Sequence, residues 1–138
     1  MTFNNTMYAS THTHTVDSRF DSTVSALSVF QKAKELGAVA VAITDHGVLT
    51  GVEAAKEAAS KTGIKYIPGV EAYFSDEDAS IDKRMHLILL AKDLVGYHAI
   101  SLAVTESNAN MDAKGFPRMN SDILNKYFGK GSIGHGHV

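Results

Sequence analysis

Six consecutive apolar residues, Ala38-Val-Ala-Val-Ala-Ile43, constrain this chain more than any other segment. A strand with one wet face alternates apolar and polar residues. A run without alternation suits a strand buried on both faces, as inside a parallel sheet. Parallel neighbours need crossover connections, usually helices, and the flanking sequence supplies them. Upstream, Tyr8–His14 reads as a short strand. Ser22 or Thr23 can then cap a helix with Val24, Leu27, Phe30, Ala33 and Leu36 on one stripe, stopped by Gly37. Downstream, Thr50-Gly-Val-Glu53 has the spacing of a capping box, and the helix it opens runs to about Lys61 and ends at Gly63. Ile64–Phe74 is the next strand, with a bulge or bend expected at Pro68-Gly69. A charged loop (Ser75–Arg84), a strand (His86–Ala91) and a helix (Gly96–Ser107) follow. Asn108–Met119 reads as a loop, Asn120–Phe128 as a short helix, and Ser132–Val138 as the start of a further strand. Strands alternating with helices place the chain in the α/β class.

Composition narrows the function classes. The 138 residues make one domain, and 44% hydrophobic residues are enough for a core, which excludes an intrinsically disordered chain. No apolar run approaches the roughly 18 residues of a membrane span. The opening MTFNNTMYAS has neither the basic region nor the apolar stretch of a secretory signal. A cytoplasmic setting without a membrane partner is therefore expected. Cysteine is absent, which removes disulfides, thiolate metal sites and cysteine nucleophiles together. The formal net charge is −2, whereas a protein that holds nucleic acid by its own charge is normally basic. Lys114, Arg118, Lys126 and Lys130 form only a sparse basic set, read here as a solvated face.

Against that background the seven histidines stand out. His12-Thr-His14 puts two imidazoles on the same side of an extended chain. Asp45-His46-Gly47 directly follows the apolar run, at the carboxyl end of a strand where α/β sheets assemble their sites. Glu71 lies among Val70, Ala72, Tyr73 and Phe74, and a carboxylate buried there needs a cation or several hydrogen bonds to stay charged. Asp21 closes the loop between the first strand and the first helix. His86 begins its strand. It reaches the neighbourhood of Glu71–Tyr73 if Ser75–Arg84 is a hairpin loop, and falls at the wrong end if the connection is a parallel crossover. Imidazole and carboxylate donors without thiolate suit Zn²⁺, Mn²⁺ or Fe²⁺. Several of them converging point to two or more metals, which clamp a phosphate and lower the pKa of a bound water.

Four segments, YASTHTHTVDSRFD, AVAITDHG, GIKYIPGVEAYF and HLILLAKDLVGY, resemble the polymerase and histidinol phosphatase (PHP) domain. More narrowly, they are similar to the N-terminal PHP domain of bacterial replicative DNA polymerase III alpha subunits. The resemblance implies a distorted (β/α)7 barrel, of which residues 1–138 would be the N-terminal part, without the polymerase domains. It implies up to three divalent metals and phosphoester hydrolysis, in polymerases as a 3′–5′ exonuclease. His12, His14, Asp21, His46, Glu71 and His86 match the family's metal ligands, with Glu71 bridging. Asp45 matches a residue behind them that orients an imidazole and so serves catalysis. Gly134-His-Gly-His137 precedes the family's next ligand position and reads as a glycine-rich strand start or loop. Ser22 stands where the family commonly has glycine.

The leading expectation is a metal-dependent phosphoesterase domain of a DNA polymerase III alpha-type subunit. DNA or another phosphoester is its substrate, and polymerase domains and replisome subunits are its partners. The alternatives are a stand-alone phosphatase acting on small phosphate monoesters, or an inactive structural module that binds metal.

Overall fold

The computed structural model describes residues 8–81 and 83–138, so Met1–Met7 of the signal reading and Asp82 of the charged loop lie outside the described residues. In chain order the elements are β1 (Tyr8–Ser10), α1 (Ala26–Glu35), β2 (Ala38–Ile43), α2 (Val52–Thr62), β3 (Lys65–Phe74), β4 (Met85–Leu90), α3 (Leu94–Ala109) and α4 (Ser121–Phe128). The strands form one sheet in the order β1-β2-β3-β4. The β1-β2 and β2-β3 pairs are parallel, and β4 runs antiparallel to β3.

The apolar run becomes β2, an inner strand, and Ala40 through Ile43 are all buried. Val39 departs from the expected burial and is 46% exposed. Its cause is the register, which jumps from Tyr8↔Ala38 to Ala9↔Ala40. Val39 is the extra residue of a bulge and has no partner on β1. Two apolar cores form on this frame. Phe30 and Ala26 of α1 pack with Val41, Ile43, Ala55 and Ala58, while Ile100, Ala103 and Ile123 of α3 and α4 pack with Val70, Ala72 and Leu89.

Several local expectations need correction. The cap of α1 is Ser25, whose hydroxyl accepts from the Ser28 N–H at 3.2 Å; Ser22 instead donates to the His14 carbonyl. With the helix starting later, its buried face is Ala26 and Phe30 flanked by Val29 and Ala33, and Val24, Leu27 and Leu36 are exposed. No Thr50–Glu53 capping box forms: Gly51 is the cap residue, and Glu53 pairs with Lys56 at 3.0 Å. The predicted stop at Gly63 holds, in the left-handed conformation at φ 76°. Asp93 starts α3 two residues early by accepting from the Gly96 N–H at 2.9 Å. Ser132–Val138 is a chain of turns, with Gly131 and Gly136 at positive φ, and the Lys92 N–H donates to His137 O at 2.9 Å.

Pro68-Gly69 does not interrupt β3. The strand runs through it while its pairing changes: the β2 ladder reaches Ile43↔Pro68, and the β4 ladder begins at Gly69↔Leu90. Glycine at 69 has a steric cause. A Cβ there would meet the Leu89 carbonyl oxygen at 2.8 Å and Leu90 Cδ2 at 2.7 Å. The antiparallel hairpin decides the question left open for His86, whose register partner is Tyr73, two residues from Glu71.

Candidate metal centre

The expected first strand stops at Ser10, so His12 and His14 sit on irregular chain. That chain is held against the end of β2 by side chains. The Thr13 N–H donates to Thr44 Oγ1 at 3.1 Å, and the Thr44 N–H donates to Thr13 O at 2.9 Å. The Thr15 N–H and hydroxyl donate to Asp45 Oδ1 and Oδ2 at 2.6 and 2.9 Å. Past β2, the chain keeps pairing with β3: the Gly47 N–H donates to Glu71 O at 2.9 Å, which locks His46 beside Glu71.

Glu71, 2% exposed, is the hub. Its Oε2 lies 2.6 Å from Nε2 of both His12 and His14, and its Oε1 lies 2.6 Å from His86 Nδ1. His46 Nδ1 is 3.9 Å from Oε2. His14 turns its other ring nitrogen to Asp21, and Asp21 Oδ2 is 3.8 Å from His46 Nε2. Three donor triads result: His12, His14 and Glu71; His14, Asp21 and His46; His46, Glu71 and His86. In each, the donor atoms lie within 4.8 Å of one another. The six residues predicted as ligands are thus brought together, from four separate segments of chain.

The electrostatics follow from this packing. Burial pushes the Glu71 carboxyl up, but the His12 and His14 hydrogen bonds and the neighbouring imidazoles outweigh it and hold the group below the usual range. The His14 hydrogen bond holds Asp21 low. Burial pushes His46 down, which favours the neutral imidazole that ligates metals. His46 Nδ1 is buried without a hydrogen-bond partner, an orphan polar atom aimed into the Glu71 cluster. All-nitrogen-and-oxygen donors, a buried carboxylate among imidazoles and this orphan nitrogen fit divalent transition metals.

Asp45 is not among the clustered donors. Both of its oxygens are engaged by Thr15, so it fastens the loop carrying His14 instead of turning an imidazole. Burial pushes its carboxyl up, against the lowering effect of the Thr15 bonds. Four supporting residues escaped the sequence reading. Ser18 Oγ accepts from the His46 N–H and donates to Asp21 Oδ2, both at 3.2 Å. Thr15 and Thr44 are fully buried. The aromatic ring of Tyr73 stacks on His46, centroids 5.1 Å apart and planes 5° from parallel. The hydroxyl residues at 13, 15 and 18 inside the H-x-H…D spacing were the available signal. His137 lies apart, with Nδ1 2.6 Å from Asp93 Oδ2. Within the basic set, Arg118 bonds to Glu77 O and Asn110, and Lys126 pairs with Glu106.

Residues 10–135 match the PHP domain family. The chain belongs to that family. Among curated relatives, the DNA polymerase III subunit alpha of Aquifex aeolicus is 36% identical over 135 residues, covering 88% of this chain and 11% of the relative. That of Campylobacter jejuni is 34% identical over 123 residues, covering 84% of this chain and 10% of the relative. The chain thus spans about a tenth of the length of these polymerases. A solved structure from Bifidobacterium adolescentis, assigned as a metal-dependent phosphoesterase, superposes with a TM-score of 0.57 at 30% identity, over 73% of this chain and 33% of that one. The PHP chain is therefore an α/β protein whose curled sheet corresponds to part of a (β/α) barrel. Among the described residues no helix is long and apolar enough to cross a membrane.

Proposed function

We propose that this PHP domain is a metal-dependent phosphodiesterase acting at the end of a DNA strand, within a DNA polymerase III alpha-type polypeptide in the cytoplasm. The observation that carries the reading is the set of three donor triads sharing Glu71, His14 and His46. Divalent metals bound there supply charge neutralisation at phosphoryl oxygens and a nucleophile from water at neutral pH. The chain's own part is positional. Glu71 presents one oxygen to His12 and His14 and the other to His86, so it spans adjacent triads. Asp21 joins His14 to His46 on the other side. Thr15, Ser18 and Asp45 hold these groups in place before any ligand arrives, which is how a site avoids reorganisation during reaction. Residues 1–138 would be the N-terminal portion of the domain, with polymerase and replisome subunits as its partners in the longer polypeptide.

The test combines elemental analysis with hydrolysis of bis-p-nitrophenyl phosphate by the gel-filtered chain. Two or three transition-metal ions per chain are expected, with turnover that chelation abolishes. Metal bound only by the folded state, at a thousandfold excess over Kd, stabilises by about 4 kcal/mol. Chelation therefore lowers the unfolding midpoint as well. His12→Ala and Glu71→Ala should each lose metal and fall to the rate of the metal-free control. Unchanged hydrolysis in either variant refutes the assignment. A metal-dependent midpoint with no hydrolysis supports the structural module instead.

A further inference from the structure

Phe20 is the most exposed large apolar residue described, at 94%, and the only non-glycine residue described with positive φ, at 61°. Exposed apolar side chains are common singly and need no explanation. A bulky side chain in the left-handed region is uncommon, and such strain collects at functional sites. The turn makes the conflict explicit. The Asp21 N–H donates to Ser18 O at 3.1 Å, closing Ser18-Arg19-Phe20-Asp21, and its third position asks for glycine or asparagine. Within this chain the ring buries almost no surface, so it adds little to the packing.

Its surroundings give it a use. The Arg19 guanidinium lies over the Phe20 ring, 4.8 Å from the centroid. The next residue is Asp21, whose carboxylate meets His14 and His46. A second pairing of the same kind borders the cluster through Tyr73. The Arg84 guanidinium sits 3.9 Å over Phe116, held by Asp112 at 2.9 Å, and Phe116 meets Tyr73 edge-on at 5.3 Å. Proteins that grip single strands join a phosphate-handling track to aromatic rings and arginines on which bases stack, without reading sequence.

We propose that Phe20, backed by Arg19, is a stacking platform for an unpaired nucleobase next to the phosphate held at the metal centre. This rests on the phosphodiesterase reading and narrows its substrate to single-stranded ends that carry bases.

The experiment measures affinity by fluorescence anisotropy for two labelled strands of equal charge, a thymidine hexamer and an abasic hexamer, with the Zn²⁺-loaded chain. The native protein should prefer the base-bearing strand about tenfold, the scale of one stacked base. Phe20→Gly should abolish the preference without lowering the unfolding midpoint, since glycine accepts φ 61° freely. Phe20→Trp should keep the preference. A residue serving only the fold would move the midpoint and leave the preference alone. The proposal is overturned if the native chain binds both strands equally or neither, or if Phe20→Gly retains the preference. Equal binding with hydrolysis of bis-p-nitrophenyl phosphate intact would sink the platform and leave the phosphodiesterase standing. A preference lost in Phe20→Gly, in a chain that never hydrolyses, would do the reverse.

Discussion

Asp45→Ala tests whether the Asp45–Thr15 contact, and not an imidazole, is what this carboxylate serves. The substitution removes two hydrogen bonds to a buried charged group and strands the Thr15 N–H, since Thr15 is 0% exposed. Bonds to charged groups contribute about 1.5–3 kcal/mol each and a stranded donor costs about 1–3, offset by no longer burying a carboxylate. The net loss should be about 2–4 kcal/mol, or roughly 10 °C in the midpoint for a domain of this size. Thr15→Val deletes only the hydroxyl bond and should cost about 1 kcal/mol. The two changes should couple, the double variant falling short of the sum by about 1 kcal/mol. Asp45→Asn should be mild, because the amide oxygen still accepts from the Thr15 N–H and burial already disfavours the charge. Thermal unfolding in chelator measures these costs, and metal titration should then show affinity weakened about 10–100-fold in Asp45→Ala. Additive single effects, or an asparagine variant as damaged as the alanine one, would refute the reasoning.

Two further predictions concern the frame. Gly63→Ala should cost about 1 kcal/mol, for the left-handed conformation alone, because nothing lies within 4 Å of the added Cβ. Gly69→Ala should cost more, since the Leu89 carbonyl must move, and equal midpoints by calorimetry would contradict this. Asp93 accepts from the Gly96 N–H and from His137, which holds its pKa below 3.8. Its folded value lies below its unfolded value, so its contribution is present above about pH 3.8 and is lost as pH falls through the lower folded value. Urea midpoints of Asp93→Asn should therefore lie below native near neutrality and converge with it in acid; parallel curves would be the contrary result.

Much of this protein is written in short stretches of sequence. Six apolar residues without alternation pointed to an inner parallel strand, and all but the bulged Val39 are buried there. His12, His14 and His46 were legible as imidazoles following apolar strands and Glu71 as a carboxylate within one, where solvation alone does not explain them; the full set of six, with Asp21 and His86, rested on the resemblance to the PHP domain. The tertiary structure decided what depends on partners distant in the chain. Antiparallel pairing of β4 with β3 brought His86 to Glu71, and neither segment specifies the direction of that pairing. Helix α1 buried Phe30 and left Leu27 and Leu36 exposed, because its rotation is set by β2 and α2 and not by its own periodicity. Asp45 turned to Thr15, since a carboxylate takes the donors its surroundings offer. Sequence names the groups able to do chemistry; the long-range packing determines which of them share a site.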